Sequence, residues 1–135
     1  MKIGILTIGN ELVSGRTQDT NTSFIARHLY RLGWQVTAMM SVGDDDDAIK
    51  GGLDHLMGLA DGLIVTGGLG PTADDITTTA IARAFGLSLI TDEDALEYIR
   101  ERMMRRSRIW TENNAKQALF PAGAEVIINR VGTAW

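Results

Sequence analysis

Residues 63–75 read LIVTGGLGPTADD, an apolar run that passes directly into a segment with three glycines and two aspartates. Residues 63–66 have the apolar, β-branched composition of a short buried strand. The apolar spacing of residues 76–85 predicts a helix that ends at Gly86. The stretch therefore predicts a strand, a glycine-rich loop and a helix in succession, which is the repeating part of a βαβ fold.

The same alternation of strands and helices extends toward both termini. Further strands are predicted at residues 2–8, 34–42 and 125–129, and a short edge strand or an extended link is predicted at residues 87–90. Further helices are predicted from a cap at Thr20 or Asn21 to Gly33, from the acidic run 44–47 to residue 60, from a cap at Asp92 to residue 103, and over residues 113–119. Strands joined by helical connections pair in parallel through right-handed crossovers. We therefore expect an α/β fold, a three-layer α/β/α sandwich with a mostly parallel sheet, as one domain over residues 1–135.

The composition agrees with this fold and excludes several classes of protein. The 135 residues are 44% hydrophobic, which is enough for a single core. With 13 basic and 17 acidic residues, the net charge of -4 gives no broad basic surface for nucleic acid. The absence of cysteine excludes a disulfide framework, a thiolate metal site and a cysteine nucleophile. Because the sequence shows no signal peptide and no membrane-length apolar run, we expect a cytoplasmic protein without a nucleic-acid or membrane partner.

Three loops follow the carboxyl ends of the predicted strands, which is where ligands bind in folds of this class. They are residues 9–11 (Gly-Asn-Glu), 43–45 (Gly-Asp-Asp) and 67–75. Each loop combines glycine with carboxylates. The sequence therefore predicts a ligand site at this edge of the sheet.

The loop 67–75 carries the strongest functional signal. Its glycines permit positive φ and a close approach of the backbone, and backbone amides ahead of a helix bind anions. Thr72 adds a hydroxyl donor. Asp74 and Asp75 would repel phosphate, so their expected use is to hold a hard cation such as Mg²⁺ that bridges to phosphate oxygens. The alternative is a tight turn in which one of these aspartates caps the next helix.

Three other acids are candidates, each with a structural alternative. Glu11 and Asp19 could hold a metal or accept a ligand hydroxyl, but Glu11 could also be an exposed loop acid and Asp19 a helix cap. The acids of the run 44–47 suit the helix macrodipole and capping, so only Asp44 is kept as a metal-ligand candidate.

The histidines and a cluster of arginines carry weaker signals. His28 and His55 are far apart in predicted helices, so we interpret both as surface or structural residues. Five arginines near the end of one predicted helix could meet phosphate or an acidic partner, although a solvated helix face is more frequent. They are Arg100, Arg102, Arg105, Arg106 and Arg108. No aromatic stacking platform accompanies them, so nucleic-acid binding is not expected.

Residues 67–77, GGLGPTADDIT, resemble the central motif of the amino-terminal domain of CinA proteins, a molybdopterin-binding domain of the MoaB/Mog-like type. Further blocks of the chain resemble that domain in the same order: residues 9–12, 19–21, 42–45, 114–118 with Pro121, and Asn129 with 132–134. The resemblance runs almost from end to end. The related MoaB and Mog loops read Gly-Gly-Thr-Gly with a later Arg-Asp, so the loop here is of the CinA form.

The resemblance implies a pocket for a phosphate-bearing nucleotide or pterin, with molybdopterin as one such ligand. For the CinA branch it implies hydrolysis of the ADP-ribose pyrophosphate with a divalent metal, expected to be Mg²⁺. For the cofactor-synthesis branch it implies Mg²⁺-dependent adenylyl transfer to molybdopterin. A non-catalytic binding module is the third hypothesis. Homodimers or homotrimers are expected by resemblance.

Residue patterns and resemblance together assign the candidate site residues. The predicted catalytic residues are Asp74 and Asp75, and the predicted metal ligands are Asp75, Asp74, Glu11 and Asp44. The predicted ligand-binding residues are Gly9, Asn10, Glu11, Asp19, Asn21, Gly67, Gly68, Leu69, Gly70, Pro71 and Thr72. Many relatives continue past the position of Trp135, so we expect this chain to lack the last strand and helix of the family.

Overall fold

The computed structural model describes residues 1–107, 109–129 and 131. The chain divides into two compact units, Met1–Gly68 and Leu69–Trp135, and each contains a small sheet. None of the helices in the described ranges has both the length and the apolar character needed to cross a membrane.

The first unit is built around three parallel strands. Its elements in chain order are β1 (Lys2–Ile8), α1 (Asn10–Val13), α2 (Thr20–Arg31), β2 (Gln35–Val42), α3 (Asp46–Met57) and β3 (Gly62–Thr66). The strand order is β2-β1-β3, with β1 parallel to both neighbours. The strands run parallel because helical connections return each of them to the same direction. The predicted parallel sheet is confirmed.

Helices α2 and α3 cover opposite faces of this sheet. Ile3 and Ile5 of β1 form a buried cluster with Leu29 of α2. Leu6, the residue that follows Ile5, faces α3, where a Cβ added to Gly52 would lie 2.9 Å from the Leu6 side chain. Successive residues of a strand point to opposite faces. The unit is therefore layered helix, sheet, helix, as the sequence predicts.

Three aspartates cap the longer helices. Asp19, Asp45 and Asp92 precede α2, α3 and the helix Glu93–Arg105, and each accepts a hydrogen bond from the backbone nitrogen three residues ahead, at 2.8–2.9 Å. The predicted cap at Asp92 and the capping interpretation of the run 44–47 agree with this geometry. The predicted cap at Thr20 or Asn21 is wrong, because the Asp19 carboxylate reaches the free amide of Thr22.

The described residues of the second unit form four helical segments and a two-stranded antiparallel sheet. Its elements are α4 (Thr77–Ala84), β4 (Leu89–Thr91), α5 (Glu93–Arg105), α6 (Glu112–Ala115), a 3₁₀ turn (Lys116–Ala118) and β5 (Leu119–Pro121). Strands β4 and β5 pair with each other. Ala95, Ile99 and Ala118 form the buried cluster that joins α5 to the 3₁₀ turn. The helix predicted over residues 113–119 is therefore real but shorter, since residue 119 already starts a strand.

The strand predicted at residues 125–129 is wrong. Its apolar, β-branched sequence has strand character, but a strand also needs a neighbouring backbone to pair with. Within the described part of the chain these residues belong to neither sheet. Ile127 and Ile128 are 79% and 60% exposed, so their hydrophobic pattern does not correspond to core positions.

Candidate functional site

An open cleft of about 180 Å³ lies in the first unit, at the carboxyl ends of β1 and β3 and the start of α2. Four residues predicted to bind ligand line it: Glu11, Asp19, Asn21 and Gly67. The remaining lining residues are Thr7, Ile8, Leu12, Thr17, Gln18, Thr20 and Thr66. The parallel sheet produces this cleft because β1 and β3 end side by side.

Gly67 fixes the close approach of two strand ends. Its φ is +95°, a conformation that residues with a side chain rarely adopt. A Cβ at this position would lie 2.0 Å from the carbonyl oxygen of Ile8. Position 67 therefore requires glycine, because the Ile8 carbonyl group at the end of β1 leaves no room for a side chain. Gly68 also has a positive φ of +58°.

Asp19 is held by several hydrogen-bond donors at the wall of the cleft. Its Oδ1 accepts from Thr22 N at 2.9 Å, and its Oδ2 accepts from the Thr22 hydroxyl. Partial burial raises its pKa, but hydrogen bonds from Thr22, the Thr7 side chain and the Asn21 backbone outweigh that effect, so the pKa of Asp19 is lowered. Asp19 therefore caps α2, which was the structural alternative to a ligand-binding role, and it also lines the cleft.

Two other predicted loop residues form a pair in this unit. Asn10 N donates to Asp44 Oδ2 at 2.8 Å, and Asp44 N donates to Asn10 Oδ1 at 3.3 Å. The pair connects the residues that follow β1 and β2. The Glu11 carboxylate lies over Gly9, within 2.6 Å of where a Cβ of residue 9 would be. Asp44 is thus engaged in a loop contact, whereas Glu11 faces the cleft.

In the second unit, the Asp75 carboxylate turns back into its own loop. Its Oδ2 accepts from Thr72 N at 2.8 Å and from Thr72 Oγ1 at 2.6 Å. Partial burial raises the pKa of Asp75, but hydrogen bonds from Thr72 and the Gly70 backbone, and then the charge of Lys116, outweigh it and lower the pKa. Gly70 lies close to this carboxylate, since a Cβ added at Gly70 would be 2.6 Å from Oδ2. Of the two uses expected of a glycine in this loop, positive φ or close approach, Gly70 shows the close approach and has no positive φ.

Two residues outside the predicted site hold the same loop. Lys116 Nζ donates to Thr72 O at 3.0 Å, and Gln117 Nε2 donates to Leu69 O at 3.1 Å. Sequence reasoning missed both as site residues. The one available signal was their place in the block 114–118, which resembles the CinA domain.

The predicted metal ligands do not form a ready cation site. In the described ranges, no three Asp, Glu, His or Cys side chains come together in a way that could hold a metal. Asp44 and Asp75 accept hydrogen bonds from backbone groups. Asp74 is exposed. Mg²⁺ often takes only one or two protein carboxylates and completes its shell with water and phosphate oxygens. The residues therefore fit a cation only together with a bound phosphate group.

The histidines and the arginine cluster, which carry the weaker sequence signals, differ in their surroundings. The His28 ring stacks on Phe24 with centroids 4.1 Å apart, and His55 is exposed at the end of α3. Arg100 lies over the Trp110 ring at 5.2 Å, and Arg105 pairs with Glu101 at 3.0 Å. Arg108 and residues 132–134 lie outside the described residues. Arg100, Arg105 and Arg106 are exposed, which agrees with the interpretation of the cluster as a solvated helix face.

Comparison with known proteins gives a consistent family. Residues 4–132 match the family described as a probable molybdopterin binding domain. A CinA-like protein of Syntrophus aciditrophicus is 59% identical over 135 residues, which are 100% of this chain and 32% of that protein. A CinA-like protein of Geobacter sulfurreducens is 46% identical over 134 residues, 99% of this chain and 32% of that protein. The chain therefore spans about a third of the length of the curated relatives it matches.

Solved structures share the fold. The crystal structure of the protein CinA with unknown function from Thermoplasma acidophilum matches with a TM-score of 0.88 and 36% identity, covering 98% of this chain and 78% of that one. The tungsten cofactor synthesizing protein MoaB from Pyrococcus furiosus matches with a TM-score of 0.58 and 20% identity, covering 89% and 78% of the two chains. At that identity the second match shows the fold alone. The MoaB/Mog-like α/β fold expected from sequence is confirmed.

Proposed function

The chain belongs to the molybdopterin-binding domain family as a CinA-like member, and from this premise we propose that it binds a phosphate-bearing nucleotide or pterin. The observation that carries the proposal is the cleft at the carboxyl ends of β1 and β3. Its volume of about 180 Å³ is below that of typical small-molecule pockets, roughly 300–1,000 Å³. The cleft therefore suits one polar part of such a ligand.

The lining of the cleft favours the uncharged part of the ligand. It includes the carboxylates of Glu11 and Asp19 and the amides of Gln18 and Asn21, and its described lining residues include neither lysine nor arginine. Carboxylates accept hydrogen bonds from hydroxyl and ring N–H groups but repel phosphate. A ribose or the N–H edge of a pterin matches this chemistry better than a phosphate group does.

The reaction we propose is hydrolysis of the ADP-ribose pyrophosphate. Water attacks one phosphorus, the bridging P–O bond breaks, and AMP and ribose 5-phosphate leave with the proton released to solvent. A divalent cation, when bound with substrate phosphate, would screen the developing negative charge. Asp74 is the exposed acid of the loop, so we assign to it the role of cation ligand in this proposal. The CinA form of the loop favours this reaction.

The second candidate is molybdopterin binding or adenylylation. The description of the matched family, probable molybdopterin binding domain, favours it. The third candidate is a binding module without catalysis. Product analysis separates all three, because only hydrolysis yields AMP from ADP-ribose and only adenylylation consumes ATP in the presence of molybdopterin.

Thermal unfolding with a ligand panel tests the proposal. The panel is ADP-ribose, ATP, AMP and molybdopterin, each with and without Mg²⁺, followed by chromatography of the products. A ligand at about a hundred times its dissociation constant should add roughly 2.7 kcal/mol of stability. Light scattering in the same samples checks the dimer or trimer that the family resemblance leads us to expect. If no ligand shifts the unfolding temperature in either condition, the proposed function is wrong.

A further inference from the structure

The hydrogen-bond donors of loop residues 69–75 already serve a carboxylate of the loop itself. Thr72 donates its N–H and its hydroxyl to Asp75, and the Gly70 backbone also donates to it. The carboxylate is an anion held inside the loop, and it repels a phosphate brought to the same donors. Phosphate recognition by this loop therefore needs a positive charge from another part of the unit.

Lys116 brings that charge to the loop. Its Nζ donates to Thr72 O at 3.0 Å although the two residues are 44 positions apart. An ammonium has three N–H donors, and this bond uses one of them. Lys116 is half-buried, so its charge is screened less than that of a fully exposed lysine.

Gln117 fixes the other end of the loop. It is only 9% exposed, and its Nε2 donates to Leu69 O at 3.1 Å. Lys116 and Gln117 belong to the same 3₁₀ turn, so one short segment contacts the loop at residues 69 and 72. A buried amide with a defined partner restricts the position of its neighbour.

We propose that Lys116 is a phosphate-recognition residue of the loop 69–75 and that Gln117 is its positioning residue. The inference rests on the proposed function, because it requires a ligand that carries phosphate. In this proposal Lys116 recognises the phosphate, and the carboxylate of Asp75 has a structural role in the loop.

Calorimetric titration with sodium pyrophosphate tests the proposal, with and without Mg²⁺ and at 50 and 300 mM NaCl. The variants are Lys116→Met, Lys116→Gln, Lys116→Arg and Gln117→Leu, with Lys50→Met as a matched loss of charge at an exposed helix position. Circular dichroism confirms that each variant is folded. Because a hydrogen bond to a charged group is lost, Lys116→Met and Lys116→Gln should each weaken pyrophosphate binding about tenfold or more.

The other variants separate charge from loop positioning. Lys116→Arg should keep most of the affinity, and Lys50→Met should bind as the wild type does. Gln117→Leu should weaken pyrophosphate binding but keep the salt dependence of the wild type. The neutral variants at position 116 should lose much of that salt dependence. Unchanged binding by both neutral variants, or an equal loss with arginine, overturns the proposal for Lys116. If the wild-type protein itself fails to bind pyrophosphate, the proposal for Lys116 is overturned, whereas the proposed function is decided separately by the ligand panel.

Discussion

Asn10 and Asp44 join the ends of two parallel strands by reciprocal hydrogen bonds, from Asn10 N to Asp44 Oδ2 at 2.8 Å and from Asp44 N to Asn10 Oδ1 at 3.3 Å. Asp44→Ala removes the acceptor and should lower the free energy of unfolding by about 1 kcal/mol. Urea unfolding measures this, and Asp47→Ala in the first turn of α3 is the matched control. A loss of Mg²⁺-dependent ligand affinity at unchanged stability would instead support the metal-ligand role predicted for Asp44.

Gly67→Ala should be strongly destabilising. The positive φ alone costs a side-chain-bearing residue roughly 1–2 kcal/mol. At Gly67 the added Cβ would also meet the Ile8 carbonyl oxygen at 2.0 Å, so the strand ends must separate. Gly15→Ala is the control, because Gly15 has a φ of +74° and open space around its Cβ position. Denaturant unfolding compares the free energies of unfolding of the two variants. Equal decreases would show that the close approach to Ile8 does not add to the destabilisation.

The lowered pKa of Asp19 predicts a loss of stability in acid. A carboxyl group whose folded-state pKa is below its ordinary value of 3.8 stabilises the protein above that value. This contribution is lost as the pH falls through the folded-state pKa, so the wild type should lose stability below about pH 4. Asp19→Asn keeps a capping oxygen but cannot titrate, so its loss over the same range should be smaller. Urea unfolding between pH 6 and pH 3 tests this, and parallel curves for the two proteins would contradict it.

Most of the fold was predictable because its signals are local. The apolar run at residues 2–8 is enough to predict β1, and Asp92 before an amphipathic stretch is enough to predict a capped helix. The prediction of a strand at residues 125–129 is wrong because the deciding signal is not local. Strand pairing depends on a second segment, and local composition does not reveal whether one is adjacent.

Only the location of the candidate site was predictable from the sequence. The rule for parallel sheets places ligands at the carboxyl ends, and Glu11, Asn21 and Gly67 do line a cleft there. The contacts of Lys116 with Thr72, and of Gln117 with Leu69, span more than 40 residues. The inward turn of the Asp75 carboxylate depends on side-chain rotamers. Neither kind of contact leaves a periodic or compositional signal in the sequence.

The structure distinguishes the surroundings of the two loop aspartates, to which the sequence analysis assigned the same use. Asp75 accepts hydrogen bonds from Thr72, whereas Asp74 is exposed. Asp75→Asn keeps one acceptor oxygen and places an NH₂ group where the second oxygen was. It should therefore lower the free energy of unfolding by about 1 kcal/mol, because part of the charge-assisted hydrogen bonding is lost. Urea unfolding of this variant beside the wild type measures the change, and an unaltered midpoint would contradict it.

Asp74→Asn should leave stability unchanged and act on the chemistry. If Asp74 contributes a cation ligand, Mg²⁺-dependent release of AMP from ADP-ribose should fall about a hundredfold, as when other electrostatic stabilisers are removed. Product chromatography across a Mg²⁺ titration measures this, and urea unfolding of the same preparation supplies the stability. Asp47→Asn, which changes an exposed acid of the first unit, controls for the loss of one negative charge. Wild-type Mg²⁺ dependence in Asp74→Asn, in Asp75→Asn and in the double variant would remove the loop acids from cation binding, since two carboxylates that both hold the ion cannot both be dispensable.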